Sequence, residues 1–388
     1  MKELKSFFYP KTIAVIGASN NPKKVGNILM RKLCECKRKV IPINLNQQTI
    51  MNKQAYSNVK KYKGQIDLAV IATPSQTIPK IIKQCGKKKI QNIIIISSGF
   101  SEIGNKKLEE NVLKIAKKYK IRLIGPNCFG IANPYLNLDT TFSNTSPKKG
   151  NIAFISQSGA LFSYISDFPI GFSGFVSLGN MSDLTFADFI NYFNKDKKTK
   201  KIILYIEKVK HGKEFIKACQ KSKKQIIVVK AGKTKKGSEA AISHTGSLAT
   251  DFKIYQGAFK QSKVKVVNTL AEAFNLKPQI IKPKHKNIQI LTNAGGAAAL
   301  ITDQLEEKGY KIKVKDLLGT ALAKDYAKAL KKAKNPLVIL TPQKMSEPEK
   351  VAKLLKKNTI TCFLGNKSIK QANKILKNKK IKNYNRCC

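Results

Sequence analysis

The stretch Ile13-Ala14-Val15-Ile16-Gly17-Ala18-Ser19-Asn20, followed at Val25-Gly26 by the start of a helical pattern, decides how the whole chain is read. Four consecutive apolar residues predict a strand buried on both faces, the habit of a parallel sheet. The strand runs into a turn of small residues and then into a helix. Free backbone N–H groups and the positive end of the dipole at that helix start favour a phosphate. The pattern departs from the dinucleotide fingerprint in two ways. Ser19 occupies the place of the second glycine, and the next strand ends in Asn44 where an NAD ribose needs a carboxylate. NAD is therefore disfavoured and another phosphorylated nucleotide is expected; the competing reading is a structural β–α turn.

Working outward, strand-like and helix-like runs alternate along nearly all 388 residues. Strands are expected over 12–17, 39–44, 67–72, 92–97 and 121–125, with helices over 25–36 and 106–118 among them. This alternation predicts doubly wound parallel α/β architecture. The Asn-, Ser-, Thr- and Pro-rich segment 133–150 reads as a boundary. A second α/β block has strands over 151–156, 174–178, 201–206, 225–230 and 264–267. A third, short block has strands over 288–292, 337–341 and 359–364, and residues 377–388 read as a frayed tail.

Composition narrows the function classes. The chain is 42% hydrophobic, enough for substantial cores, yet no apolar run approaches the ~18 residues of a membrane-spanning helix, and no signal peptide is visible. Eight cysteines lack zinc-ligand spacing, so no metal site is expected, and free thiols fit a reducing cytoplasm. The formal charge of +51 suggests nucleic-acid binding, but the lysines are spread along the chain without aromatic interleaving. Specific nucleic-acid binding and membrane association are not expected.

Further turns after strand ends carry chemistry-bearing residues. Ser97-Ser98-Gly99-Phe100-Ser101-Glu102 and Gly125-Pro126-Asn127-Cys128-Phe129-Gly130 offer small-residue donors where open α/β sheets bind ligands. Ser156-Gln157-Ser158-Gly159-Ala160-Leu161 is a second strand–turn–helix anion site. Tyr205-Ile206-Glu207 puts a carboxylate at a strand end, and Ser243-His244-Thr245-Gly246-Ser247 puts one of only three histidines among small neighbours. Imidazole is a good nucleophile at neutral pH. A carboxylate such as Glu207 could fix its tautomer, and the start of the helix at Ser158, Gly159 and Ala160 could hold a phosphoryl group. Phosphohistidine chemistry and a structural loop histidine both remain open on spacing alone.

The sequence resembles the α subunit of ADP-forming acyl-CoA synthetases, above all the acetate–CoA ligase type, and more distantly the succinyl-CoA synthetase α subunit. The likeness runs through the first two blocks. It rests on Ala14-Val15-Ile16-Gly17-Ala18-Ser19, Gly125-Pro126-Asn127, Ser156-Gln157-Ser158-Gly159-Ala160-Leu161, Ser177-Leu178-Gly179-Asn180 and Ser243-His244-Thr245-Gly246-Ser247-Leu248. It implies a Rossmann-like CoA-binding domain over 1–133, a succinyl-CoA synthetase-like flavodoxin domain over 150–280, and a shortened flavodoxin-like domain over 287–376. It implies CoA contacts at Gly17, Ala18, Ser19, Asn20, Ser97, Ser98, Gly99 and Asn127, phosphate contacts at Ser158, Gly159 and Ala160, phosphorylation of His244, and support of that histidine by Glu207. It also implies a β subunit of ATP-grasp fold carrying ADP or ATP with Mg2+, since no such domain is seen in this chain. Leu45-Asn46 departs from the proline, often with a lysine, that the family places near CoA. The third block resembles the family at Thr292-Asn293-Ala294-Gly295-Gly296 and Asp316-Leu317-Leu318-Gly319-Thr320-Ala321, but lacks the customary Asn-Pro before the aspartate. These departures motivate an alternative: a non-catalytic CoA-binding or regulatory relative.

Overall fold

The computed structural model describes residues 2–245 and 251–388, with side chains over 4–241 and 251–388. Among the described residues its Val/Ile/Leu-rich strands form three large sheets, beside a two-stranded hairpin of Thr49–Ile50 and Lys53–Gln54. In the first, Lys39–Ile43, Thr12–Ile16, Leu68–Ile71, Asn92–Ile95 and Arg122–Ile124 lie side by side in that order, all parallel. The opening strand shows why the run had to be apolar throughout. Ile13 and Val15 belong to one apolar cluster with Leu29 and Leu33 of the helix Val25–Cys34, while Ala14 and Ile16 belong to a second with Ile78 and Ile82.

The second sheet is built around Lys148–Ser156, flanked by Gly171–Ser177 and Lys201–Ile206, and extends through Gln225–Lys230 to Lys265–Val267. On the far side of Gly171–Ser177, Ile131–Asn133 and Leu138–Asp139 add antiparallel strands. The third sheet is parallel, in the order Lys311–Asp316, Asn287–Thr292, Pro336–Leu340, Ile360–Phe363. In each sheet the first parallel strand sits between the second and the third, so each has a switch point where neighbouring crossovers diverge and a crevice opens at the strand C-termini. The layers also share cores. One apolar cluster joins Leu29 of the first unit to Phe189 of the second, and another joins Phe162 of the second to Ile290 of the third.

Two expectations need correction, and one segment is more ordered than its composition suggests. The segment 133–150, read as a boundary, is in part strand, and Asp139, Thr140, Thr141 and Ser143 are buried. Lys32 Nζ donates to Asp139 Oδ2 (2.7 Å) and Ser143 Oγ (2.9 Å), which supplies partners for a polar sequence inside the protein. The third sheet has a fourth strand, Lys311–Asp316, hidden in the sequence by three lysines. It is an edge strand, where charged side chains reach water and discourage further pairing. The terminal segment is docked rather than frayed. Asn383 donates to and accepts from the Phe363 backbone (3.0 and 2.8 Å), Ala271 N donates to Cys388 O (3.0 Å), and Cys387 and Cys388 are fully buried.

Candidate functional site

The first crevice lies between the turns after Thr12–Ile16 and Leu68–Ile71. Gly17 has φ +92°, and a Cβ on Gly26 would stand 1.9 Å from the Gly17 carbonyl oxygen. The helix Val25–Cys34 can start against this turn only because position 26 is bare. No side chain caps that helix and its first turn carries no acid, so its positive end is left to the crevice. The turn is braced from below. Asn27 Nδ2 donates to Ser19 O (2.9 Å) and Asn44 Nδ2 to Ala18 O (2.7 Å), while Asn20 Nδ2 donates to Thr49 O (3.0 Å). Asn44, the residue that argued against NAD, is thus a structural brace for the turn. Leu45 beside it is 82% exposed.

The other first-crevice residues fall into two groups. Ser97 Oγ donates to Thr73 O (2.5 Å) and the Gly99 amide donates to Glu102 Oε1 (2.5 Å), so both are engaged within the protein. Ser98 between them is exposed. Asn127 donates its backbone N–H to Ser97 O (2.9 Å) and its side-chain amide to Asn180 Oδ1 (3.3 Å).

The second crevice opens between Lys148–Ser156 and Lys201–Ile206. Gln157 Oε1 accepts from the backbone N–H of Glu207 (2.7 Å) and of Lys208 (2.8 Å), tying the two strand ends together. Ser158 and Gly159 lead into the helix Ala160–Ile165. The twelve-residue helix Gly295–Glu306 arrives here from the third sheet: a Cβ on Gly296 would stand 2.6 Å from Ser158 Oγ. Two helix N-termini therefore converge on one serine. Its hydroxyl is buried and has no hydrogen-bond partner among the described residues. Tyr205 Oη donates to Gly296 O (3.0 Å) and Glu207 Oε1 (3.2 Å). Glu207 itself is buried.

His244 is the penultimate residue of the helix Lys235–Thr245, so the backbone is still helical where the sequence suggested a loop. Its side chain lies outside the described residues, as do residues 246–250. What fixes the start of that helix is clear. Asp303, on Gly295–Glu306, accepts from the backbone N–H groups of Gly232 (2.8 Å), Lys233 (2.9 Å) and Thr234 (2.9 Å) and from Thr234 Oγ1 (2.9 Å). Burial nevertheless pushes the Asp303 carboxyl upward, with those hydrogen bonds pulling the other way. Lys230 ends the strand next to that of Glu207, in register with Ile206. Its ammonium is buried, donates to Ala231 O and lies 4.4 Å from the centre of the Tyr255 ring. Burial lowers its pKa from 10.5 to about 8, opposed by the attraction of Asp303 and Glu207.

Comparison with known proteins places these crevices in context. Residues 11–134 match the family described as CoA binding domain, and 149–278 match the succinyl-CoA ligase like flavodoxin domain. Over 361 residues the chain is 42% identical to the acetate–CoA ligase [ADP-forming] II subunit alpha of Pyrococcus furiosus, covering 90% of this chain and 79% of that protein. The chain belongs to the ADP-forming acetate–CoA ligase α-subunit family. The corresponding I subunit alpha of the same organism is 39% identical, over 79% of this chain and 70% of the relative. The chain spans 61% of acetate–CoA ligase [ADP-forming] I of Archaeoglobus fulgidus, at 35% identity. A solved acetyl-coenzyme A synthetase 1 of Ca. Korarchaeum cryptofilum, in complex with phosphate and ADP, superposes with TM-score 0.68 at 32% identity, covering 99% of this chain and 94% of that one. The doubly wound α/β class, with a CoA-binding domain before a flavodoxin domain, is what the sequence predicted.

For this member of the family, the structure gathers Ser158, Gly159, Ala160 and Glu207 at one crevice and Gly17, Ala18, Ser19, Asn20, Ser97, Ser98, Gly99 and Asn127 around another. Gly296, Tyr205, Lys230 and Asp303 were not expected at the site. The pair Gly295-Gly296 reads as a family likeness, and its place after a strand is also a signal for a helix start at the site. Tyr205 and Lys230 look like ordinary strand residues until the sheet places them. Among the described residues no helix is long and apolar enough to cross a membrane, and no group of three or more His, Cys, Asp and Glu residues could hold a metal ion.

Proposed function

We propose that this chain is the α subunit of an ADP-forming acyl-CoA synthetase, acting on acetate or a similar small acid, with His244 as phosphoryl carrier. The observation that carries the reading is the convergence of two helix N-termini on the buried Ser158 hydroxyl, which has no partner among the described residues and is bordered by Tyr205 and Glu207. Aligned backbone N–H groups and a neutral donor suit a doubly charged phosphoryl group and would cost no reorganisation when it arrives. Ser158, Gly159 and Ala160 would grip it from one side and Gly295–Glu306 from the other.

In this reading CoA lies in the first crevice, with a phosphate at the turn of Gly17, Ala18, Ser19 and Asn20. An oxygen of inorganic phosphate attacks the thioester carbonyl. The C–S bond breaks, and CoA leaves as thiolate and takes a proton, giving acyl phosphate. The unprotonated ring nitrogen of His244 then attacks phosphorus, and the P–O bond to the acyl group breaks, releasing the carboxylate. Glu207 holds the ring's other nitrogen and steadies the charged imidazole. Transfer to ADP follows on a partner β subunit of ATP-grasp fold, which binds the nucleotide with Mg2+. The α-subunit names of the two Pyrococcus furiosus relatives support a heteromeric arrangement.

The test is labelling with radioactive phosphate and acetyl-CoA in the presence of a cognate β subunit. Acid-labile label should appear on this chain and be absent from His244→Ala. Full labelling of that variant would refute the mechanism. CoA binding without any labelling of the wild type would favour a non-catalytic role.

A further inference from the structure

Where the first and second units meet, three turns and two carboxylates converge on one buried side chain. Asn180 follows Gly171–Ser177 and is 4% exposed. Its Nδ2 lies 2.7 Å from Glu102 Oε2, 2.9 Å from Glu109 Oε2 and 3.1 Å from Ser101 Oγ. Its Oδ1 accepts from Asn127 (3.3 Å), and its own N–H donates to Pro126 O (2.9 Å). Glu102 is in turn the acceptor that curls the Ser97–Ser98–Gly99 turn, taking the amides of Gly99 (2.5 Å) and Phe100 (3.2 Å). Glu109 takes the Ser101 amide (3.2 Å) and the Ser182 hydroxyl. Across the cluster, Lys210 Nζ donates to the carbonyls of Met181 (2.8 Å) and Asn180 (3.4 Å). Burial lowers the pKa of Lys208, next to Glu207, against the attraction of Glu109 and Glu207, with Lys106 adding to the lowering. A neutral amide thus shares its two hydrogens among an hydroxyl and two carboxylates that would otherwise repel.

We propose that Asn180 is a positioning residue that holds the CoA-side turn at Ser97, Ser98 and Gly99 in register with the second-sheet edge carrying Glu207. The proposal rests on the CoA reading of the first crevice. Asn180 touches none of the reacting groups. It acts through Glu102, whose other oxygen shapes the turn, and through Asn127, whose amide is bonded to Ser97 O. Hydrogen bonds to ionised acceptors are the stronger ones, so loss of this donor frees the turn rather than merely loosening a surface.

The experiment is calorimetric titration of CoA into the full chain, comparing wild type with Asn180→Ala, Asn180→Asp and Glu102→Gln. Asn180→Ala should weaken CoA about tenfold. Asn180→Asp is nearly isosteric, so it guards against simple misfolding of the alanine variant. It sets a third carboxylate against Glu102 and Glu109, with Lys208, Lys210 and Lys106 the nearby cations. Its CoA affinity should be worse than that of Asn180→Ala near pH 8 and should recover as pH falls and the cluster gains a proton; wild type should show no such recovery. Glu102→Gln, with charge removed, should respond little to pH and relieve the defect when combined with Asn180→Asp. If the Asn180 variants bind CoA as wild type does, or if Asn180→Asp shows no pH-dependent recovery, the proposal falls while the functional reading stands. Failure of the wild-type chain to bind CoA would remove both.

Discussion

Lys230 offers the sharpest physical test of the second crevice. A buried ammonium is charged at neutral pH in the folded and unfolded chain alike, and folding must bear its desolvation. Lowering the pKa from 10.5 to about 8 corresponds to about 3 kcal/mol, at ~1.4 kcal/mol per tenfold change in the proton equilibrium. The sign follows from proton counting. Between about pH 8 and 10.5 the unfolded state holds the proton and the folded state has released it, so stability rises with pH across that window. The penalty is present in full below about pH 8. Lys230→Met keeps the stem's shape and its contact with Tyr255 but removes the titrating group. Its stability relative to wild type should therefore fall by about 3 kcal/mol between about pH 7 and 10.5, because wild type gains over that range and the variant does not. Urea denaturation of both proteins at several pH values measures this difference directly, since the remaining groups titrate in both. A difference that does not change with pH would refute the account of Lys230 as a buried charge.

Two further outcomes follow from the same geometry. Gly26→Ala must push the helix Val25–Cys34 away from the Gly17 carbonyl, at a cost of about 1–3 kcal/mol in stability. CoA affinity by calorimetry should fall about tenfold or more, and unchanged affinity would remove the turn from the ligand site. Asp303→Ala leaves three backbone N–H groups of residues 232–234 without their acceptor, at a local cost of about 1–3 kcal/mol for each that stays buried and unsatisfied. Hydrogen exchange should speed up over 232–245 and stay unchanged in the first sheet. Unaltered exchange over 232–245 would show that the third unit does not hold that helix.

Much of this protein was legible from its sequence because burial on both faces leaves a direct mark. The runs 13–16, 68–71 and 201–206 had to be strands, and the small residues after them had to be turns. Where that mark fails, so does the reading. Lys311–Asp316 borders water and looks polar, Asp139, Thr141 and Ser143 are polar yet buried on Lys32, and Cys388 is held by Ala271, more than a hundred residues away. The sequence by itself determined that this is a doubly wound α/β chain with small-residue turns suited to phosphate and a candidate carrier histidine. Only the tertiary structure decided that Gly296 meets Ser158, that Asp303 anchors the start of the histidine helix, and that Asn180 joins two carboxylates beside the turn of Ser97, Ser98 and Gly99. The reason is physical: strand and turn propensities act over a few neighbouring residues, whereas a site forms where separate sheet edges meet, and no local pattern records which edges those are.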